Sequence, residues 1–145
     1  MRLAFHGAPF SGWQIQPAQK TVQGEIETAL SSLLREEIGI QGAGRTDTGV
    51  HAANYVAHFQ GPEGLDGADL AYRLNRFLPS RITVFEILLV DQEFHARFSA
   101  TSRSYRYVLQ REKDVFTTDV AWYYQRPMEF ERLDRAATSL FSGQD

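Results

Sequence analysis

The chain has 145 residues, of which 43% are hydrophobic and 23% are charged, so it is long enough for about one globular domain. Fifteen basic residues stand against 18 acidic ones, a formal net charge of −3, which argues against nucleic-acid binding through bulk positive charge. The lack of cysteine excludes disulfides, thiolate metal sites and a cysteine nucleophile. No apolar run approaches the roughly 20 residues of a membrane helix, so we expect a soluble, cytoplasmic protein.

The first half of the chain predicts a strand, a helix and a further strand. Residues 2–10 have a strand-like pattern and lead into a loop at residues 11–14 that contains Gly12. From Thr21, which is suited to cap a helix, apolar residues recur at steps of three and four and predict a helix that ends before Gly39. These residues are Val22, Ile26, Ala29, Leu30, Leu33 and Leu34. Residues 55–59 predict the next strand.

The second half predicts another helix, three strands and a last helix. Leu70, Leu74, Phe77 and Leu78 share the apolar face of the first of these helices, and Pro79 ends it. Residues 82–90 are almost all apolar or β-branched, which is typical of a covered strand. Alternation predicts a strand over 104–110, and residues 120–124 predict another. The last helix shows an apolar face made of Phe130, Leu133, Ala137, Leu140 and Phe141. This order of elements indicates an α+β fold, with an antiparallel sheet backed by helices on one face.

The segment 42–52 carries the clearest chemical signal. Asp47 is its only acid, with Arg45 two residues before and His51 four residues after it. Glycines at 42, 44 and 49 allow tight turns and a close approach to a ligand. A nearby guanidinium would keep the carboxylate ionised and oriented, as a carboxylate nucleophile requires.

Other interpretations of this segment are open at this point. Asp47 could form an Asx turn with an incidental ion pair. The segment lacks the Gly-Lys-Ser/Thr of a P-loop and has Asp47 where a dinucleotide fingerprint needs glycine. A metal site built from Asp47, His51, His58 or His95 is conceivable, but no His-x-x-x-His or His-Glu-x-x-His helix frames it.

A second segment, residues 94–111, combines arginine with aromatic residues. No acid lies between Glu93 and Glu112. The guanidinium groups could neutralise phosphates and the rings could stack on exposed bases. The arginines are Arg97, Arg103, Arg106 and Arg111, and the aromatic residues are Phe94, Phe98, Tyr105 and Tyr107. The alternative is a sheet strand with core aromatics and a solvated arginine edge.

Four ordered segments resemble the TruA-type tRNA pseudouridine synthases. They are Gly12-Trp13-Gln14-Ile15-Gln16, Gly44-Arg45-Thr46-Asp47-Thr48-Gly49-Val50-His51-Ala52, His95-Ala96-Arg97-Phe98-Ser99-Ala100 and Ser104-Tyr105-Arg106-Tyr107. The opening Phe5-His6-Gly7 departs from the Tyr-Asp-Gly usual in the family. The resemblance covers about half of the family's usual length, so we expect an N-terminal half that lacks most of the partner subdomain.

The resemblance implies a ferredoxin- or RRM-like subdomain of the pseudouridine synthase fold. Residues 1–93 would form the N-terminal subdomain that carries the Asp47 loop. Residues 94–145 would hold the active-site connector, the Tyr105 strand and the start of an incomplete second subdomain. A chain of this length would then be too short to be active alone.

The resemblance also implies a function. The family isomerises uridine to pseudouridine at positions 38–40, in the anticodon stem-loop of tRNA, as a homodimer and without metal or nucleotide cofactor. Asp47 would be the nucleophile, Arg45 would pair with it and fill the space of the flipped nucleotide, and Tyr105 would stack on the target base. The alternative function is a non-catalytic RNA-binding module of RRM-like architecture, although no RRM-type aromatic motif is visible. A metal-dependent hydrolase is the third candidate.

Overall fold

The structure, a computed structural model, describes residues 1–141. The backbone divides into two units, Met1–Ser104 and Tyr105–Asp145. Residues 94–104, which the sequence-based division assigns to the second subdomain, make their contacts within the first unit. The division at residues 93 and 94 stays a prediction about the complete fold.

The first unit is built on one four-stranded antiparallel sheet. Its strand order is β2-β3-β1-β4, so the two strands that are farthest apart in the chain, β1 and β4, are neighbours. Leu3 in β1 lies opposite Tyr55 in β3 on one side and Val84 in β4 on the other. The strands are β1 (Arg2–Phe5), β2 (Ile40–Gly42), β3 (Ala52–Phe59) and β4 (Ile82–Glu86).

Two helices cover one face of this sheet. Helix α1 (Val22–Leu34) begins after Thr21, whose hydroxyl accepts the Gly24 N–H at 3.2 Å as the sequence predicts. Helix α2 (Gly67–Phe77) begins after Asp66, whose carboxylate accepts two backbone N–H groups of the first turn. The apolar stripes of both helices pack against the alternate strand residues that face them, and together they form one core.

The order βαββαβ with antiparallel neighbours is the ferredoxin-like arrangement. The expected fold class, an antiparallel sheet with helices on one face, is therefore confirmed. The core contains the predicted helix residues Val22, Ile26, Leu30, Leu70 and Leu74.

Three details of this unit differ from the sequence-based expectation. Phe77 is 54% exposed rather than buried, because α2 ends there and the chain turns. Strand β4 ends at Glu86 instead of Val90, and Leu88 to Val90 are exposed. The three-residue strand β2 was not predicted; it is too short to show alternation and forms because β3 offers it a partner.

The second unit has little regular structure. Strands β5 (Leu109–Gln110) and β6 (Trp122–Tyr123) form a short parallel pair, and helix α3 (Phe130–Phe141) follows. The predicted strand over 104–110 is wrong for residues 104–108, since among the described residues only the end of that stretch has a partner strand. The strand predicted at 120–124 is reduced to two residues. Helix α3 is confirmed, and Phe130, Leu133 and Leu140 on it are exposed.

Among the described residues, no helix combines the length and apolar character that crossing a membrane requires.

Candidate active site

Asp47 lies in an exposed turn between β2 and β3. The Val50 N–H donates to the Asp47 carbonyl oxygen at 3.2 Å, which closes a four-residue turn. Gly49, the third residue of this turn, has φ +80°, a value that type II turns require and that glycine adopts without strain. The turn leaves the Asp47 side chain exposed to solvent, so a ligand can reach the carboxylate.

The loop that precedes α1 holds the residue before Asp47. The Trp13 N–H donates to the Thr46 carbonyl oxygen at 3.0 Å. Gly12, at φ +84°, approaches so closely that a Cβ placed there would collide with the same carbonyl. Only glycine therefore permits this contact between the two backbones.

The same loop is tied to the helix behind it. The first N–H groups of α1, those of Val22 and Gln23, donate to the carbonyls of Gly12 and Trp13 at 3.2 and 3.0 Å. These groups have no partner within the helix, so the loop satisfies them. Backbone hydrogen bonds therefore connect α1 to Gly12 and Trp13, and Trp13 to Thr46, the residue directly before Asp47.

The Trp13 ring anchors this connection in the core. It packs against Tyr55 and Phe5, with ring centroids 4.3 and 5.9 Å apart. Tyr55 and Phe5 are themselves 5.5 Å apart, in an edge-to-face arrangement. All three side chains are buried, so this aromatic cluster fixes the floor beneath the Asp47 loop.

Two side chains bond the start of the loop. The Tyr55 hydroxyl accepts the Gly44 N–H at 3.3 Å and donates to the Gly44 carbonyl. The Arg103 guanidinium donates to the Ala43 carbonyl, with Nη2 at 2.7 Å. Arg103 belongs to the arginine-rich segment, so these bonds bring the two segments singled out in the sequence into contact.

The loop ends at His51, whose ring contacts His6 and Gly7, the two residues directly after β1. His51 Nδ1 accepts the Gly7 N–H at 3.1 Å, and its ring lies 4.2 Å from that of His6. Gly7 belongs to the tripeptide that departs from the family pattern, and here its backbone closes the far side of the loop.

Arg45 and Asp47 are both exposed, but the described residues show no ion pair between them. The pairing of this arginine with the carboxylate therefore stays a prediction, and the contacts described above hold the loop in this structure. Thr46, between the two, has a buried hydroxyl oxygen without a hydrogen-bond partner in the described part of the chain.

The segment 94–103 lies against the face of the sheet opposite the helices. His58 Nδ1, on β3, accepts the Ala96 N–H at 3.1 Å. Burial is the main cause that lowers the pKa of His58, and the neighbouring His95 lowers it further. A hydrogen bond with the Gln41 backbone opposes this shift. The neutral ring is the form that can accept the Ala96 N–H, so the lowered pKa favours this contact.

The exposed side of this segment carries a ring and a cation. The Arg97 guanidinium lies over the Phe98 ring, 5.7 Å from its centroid, and Phe98 is 76% exposed. Tyr105 lies in the second unit, outside any strand, and the residue is 73% exposed. Within residues 1–141, no group of three His, Asp or Glu side chains is placed to hold a metal ion.

A comparison with protein families supplies the deciding observation. Residues 3–99 match the family model described as tRNA pseudouridine synthase. The chain belongs to the tRNA pseudouridine synthase family. The matched range contains Arg45 and Asp47 and stops before Tyr105.

Curated proteins agree with this membership. The chain is 46% identical over 140 residues to tRNA pseudouridine synthase A of Parabacteroides distasonis, covering 96% of this chain and 56% of the relative. It is 43% identical over 147 residues to the protein of that name in Dictyoglomus turgidum, with 99% and 60% covered. For Chlorobium luteolum the values are 42% over 141 residues, with 97% and 56% covered. The chain thus spans a little over half the length of these synthases.

Sequence reasoning located the loop of this pseudouridine synthase family member but missed what holds it. The sequence presents Trp13 only as part of the segment 12–16 that resembles the family, whereas both its N–H and its ring support the loop. Tyr55 was assigned only to a strand, and Arg103 only to a surface for RNA. Nothing in the local pattern marks these contacts, because they join residues 11, 33 and 60 positions apart.

Proposed function

We propose that this chain forms the Asp47-bearing half of a synthase that converts uridine to pseudouridine in the anticodon stem-loop of tRNA. The observation that supports this most is the placement of Asp47, an exposed carboxylate on a turn whose backbone is bonded on both sides. A nucleophile needs access and a fixed position together. Family membership provides the reaction class.

The reaction is an isomerisation and consumes no oxidant or reductant. The Asp47 carboxylate attacks either the uracil ring or C1′ of the ribose, and the N1–C1′ bond breaks. The detached base turns, the C5–C1′ bond forms, the bond between Asp47 and the substrate breaks so that the carboxylate is regenerated, C5 releases its proton and N1 gains one. Because the atoms balance without a further reagent, we propose that the reaction uses no metal or nucleotide cofactor.

The target uridine must leave its stem-loop before Asp47 can reach it. Flipping a nucleotide out of a stack costs a few kcal/mol, which contacts to the enzyme must offset. Arg45 is exposed beside Asp47 and can fill the space that the base vacates. Tyr105 offers an exposed ring for stacking on the flipped base, and Arg97 with Phe98 offers a further phosphate and base contact.

We also propose that the complete enzyme acts in the cytoplasm as a homodimer with one tRNA across both subunits. The chain carries a net charge of −3, so one copy presents only local basic patches. Two copies on one RNA would add their contacts through a high effective concentration.

The test measures turnover and binding separately. The chain is assayed alone and as a chimaera in which it replaces the matching part of the Parabacteroides distasonis synthase. The substrate is a tRNA transcript with tritium at C5 of uridine, since isomerisation releases that hydrogen to water. Asp47→Ala should abolish release, by about a thousandfold or more, and leave the filter-binding affinity for tRNA within about threefold.

The control is Asp69→Ala, an exposed aspartate on α2 that lies in no predicted site. It should leave both quantities unchanged. Release that persists in Asp47→Ala would contradict the nucleophile assignment. Tight tRNA binding without any release by the unsubstituted chain and chimaera would favour the non-catalytic RNA-binding module, which should depend on Arg97 to Arg111 and not on Asp47.

A further inference from the structure

The two residues directly before Arg45 are each bonded by a side chain from another part of the chain. Strand β2 ends at Gly42, and the Ala43 N–H still donates to the Val56 carbonyl in β3 at 2.8 Å. Beyond this bond the chain leaves the sheet. The orientation of the Ala43 and Gly44 peptide groups therefore sets the direction in which the Asp47 loop begins.

Tyr55 fixes the Gly44 peptide groups. The residue is only 8% exposed, and its ring packs against those of Phe5 and Trp13. Its hydroxyl bonds both the N–H and the C=O of Gly44. A phenol on an immobile ring has little freedom to follow a moving loop, so the two bonds define one orientation of Gly44.

Arg103 fixes the Ala43 carbonyl. Its Nε and Nη2 both donate to this oxygen, at 3.2 and 2.7 Å, and Nη2 also donates to the Arg97 carbonyl at 2.7 Å. The planar guanidinium thereby joins the loop to the segment 94–103. An ammonium group on a flexible stem cannot reproduce this fork.

The far end of the same stretch is held independently. The Thr46 carbonyl accepts the Trp13 N–H at 3.0 Å. Arg45 is the one residue between the anchored Gly44 and the anchored Thr46, and Asp47 follows directly. Loss of the anchors at Ala43 and Gly44 would leave this stretch held at one end only.

We propose that Tyr55 and Arg103 are positioning residues that act on Asp47 through the Gly44 and Ala43 backbone. The proposal rests on the proposed function, since it concerns the same loop. It assigns Arg103 a different task from the phosphate contact that its place in an arginine-rich segment suggests. A loop displaced by about 1 Å can lower a rate by about a hundredfold without loss of binding.

The first test is Tyr55→Phe in the chimaera. This change keeps the ring in its cluster and removes only the hydroxyl. The expected result is a fall in kcat of about tenfold or more with KM within about twofold. Tyr72→Phe, which removes a hydroxyl from an exposed tyrosine on α2, is the matched control and should change neither value.

The second test separates positioning from phosphate binding at Arg103. Arg103→Lys keeps the charge and loses the fork, so positioning predicts a lower kcat with unchanged tRNA affinity and unchanged salt dependence of binding. A phosphate contact predicts nearly full activity for Arg103→Lys, and a weaker, less salt-dependent affinity for Arg103→Gln. The control is Arg73→Lys, because Arg73 also donates to a backbone carbonyl, that of Leu33 at 3.3 Å, away from the loop.

A third readout does not depend on activity. Amide hydrogen exchange of residues 43–51 in the 145-residue chain should become faster in Tyr55→Phe and Arg103→Lys, and exchange in α2 should not. Unchanged kcat in both variants of an active chimaera, or unchanged exchange in the loop, would overturn the proposal. Failure of the unsubstituted chimaera to release tritium would instead overturn the proposed function, so the two failures are distinguishable.

Discussion

Gly44 and Val84 are bonded in the same way but lie in different parts of the sheet unit. The Asn75 side chain, on α2, donates to the Val84 carbonyl at 2.7 Å and accepts the Val84 N–H at 2.8 Å. The Tyr55 hydroxyl bonds the same two groups of Gly44. Val84 lies in β4 at the edge of the sheet, whereas Gly44 lies where the chain leaves the sheet for Asp47.

The two contacts differ in whether the neighbouring residues of the chain are held by a strand partner. At Val84 the bonds satisfy the outer groups of an edge strand, and Thr83 before it and Glu86 after it are already paired with β1. At Gly44 the following residues have no strand partner, so the bonds fix a direction in addition to satisfying polar groups. We expect the Asn75 contact to contribute to stability alone and the Tyr55 contact to contribute to both stability and rate.

Among the variants that leave Asp47 in place, Gly12→Ala should have the largest effect. The new Cβ would collide with the Thr46 carbonyl and force a left-handed conformation on alanine. The unfolding free energy should fall by about 2 kcal/mol and tritium release by about a hundredfold. Urea denaturation and the release assay measure the two effects. A variant with lower stability and full activity would show that the Thr46 backbone does not position Asp47.

A pair of variants sharpens the comparison directly. Asn75→Ala should lower the unfolding free energy by about 1–3 kcal/mol, because two backbone groups of a buried strand residue lose their partner. Tyr55→Phe should lower it by about 1 kcal/mol, since the ring stays in place. Denaturation curves for both, set beside their kcat values, test whether stability and rate separate. Equal losses of kcat in the two variants would contradict the distinction.

Most of the helical and much of the strand pattern could be predicted from sequence. The stripe from Val22 to Leu30 and the cap at Thr21 follow from local periodicity and hydrogen bonding, which a single segment carries within itself. Strand β2 and the end of β4 at Glu86 could not be predicted, because pairing with a distant strand decides them. The same reason explains residues 104–108, whose alternation has no partner strand among the described residues.

In the candidate site too, features carried by adjacent residues could be predicted and contacts between distant residues could not. The Asp47 turn could be located because its acid and glycines are adjacent in the chain. Its supports could not, since the Trp13 N–H, the Tyr55 hydroxyl and the Arg103 guanidinium reach it from other elements. The pairing of Arg45 with Asp47 stays a prediction, since both residues are exposed and form no ion pair in the described part of the chain.

Arg97 provides a contrast with Arg103 inside one segment. Its exposed guanidinium lies over Phe98, and its loss should weaken tRNA binding without lowering kcat. For Arg97→Gln, the slope of log affinity against log salt concentration should fall by about one unit. Filter binding over a salt series measures this slope. An unchanged slope would remove Arg97 from the proposed RNA surface.

The smallest effect concerns His58 and pH. Its pKa in the folded chain lies below the ordinary value, mainly through burial and then through His95 and the Met1 amino group. Protonation therefore favours the unfolded chain, so stability should be full above about pH 6.5 and should decline as the pH falls below it. His58→Gln should reduce the decline measured by denaturation between about pH 7.5 and pH 5.5. A decline of equal size in that variant would contradict the assignment.

The nucleophilic role of Asp47 is tested most directly by a single-turnover measurement on Asp47→Asn in the chimaera. Asparagine keeps the size and turn geometry of the residue and removes the negative charge. With enzyme in excess over tritium-labelled tRNA, we predict normal binding and no release of tritium above background. Release at a rate near that of the unsubstituted chimaera would contradict a covalent role for this carboxylate.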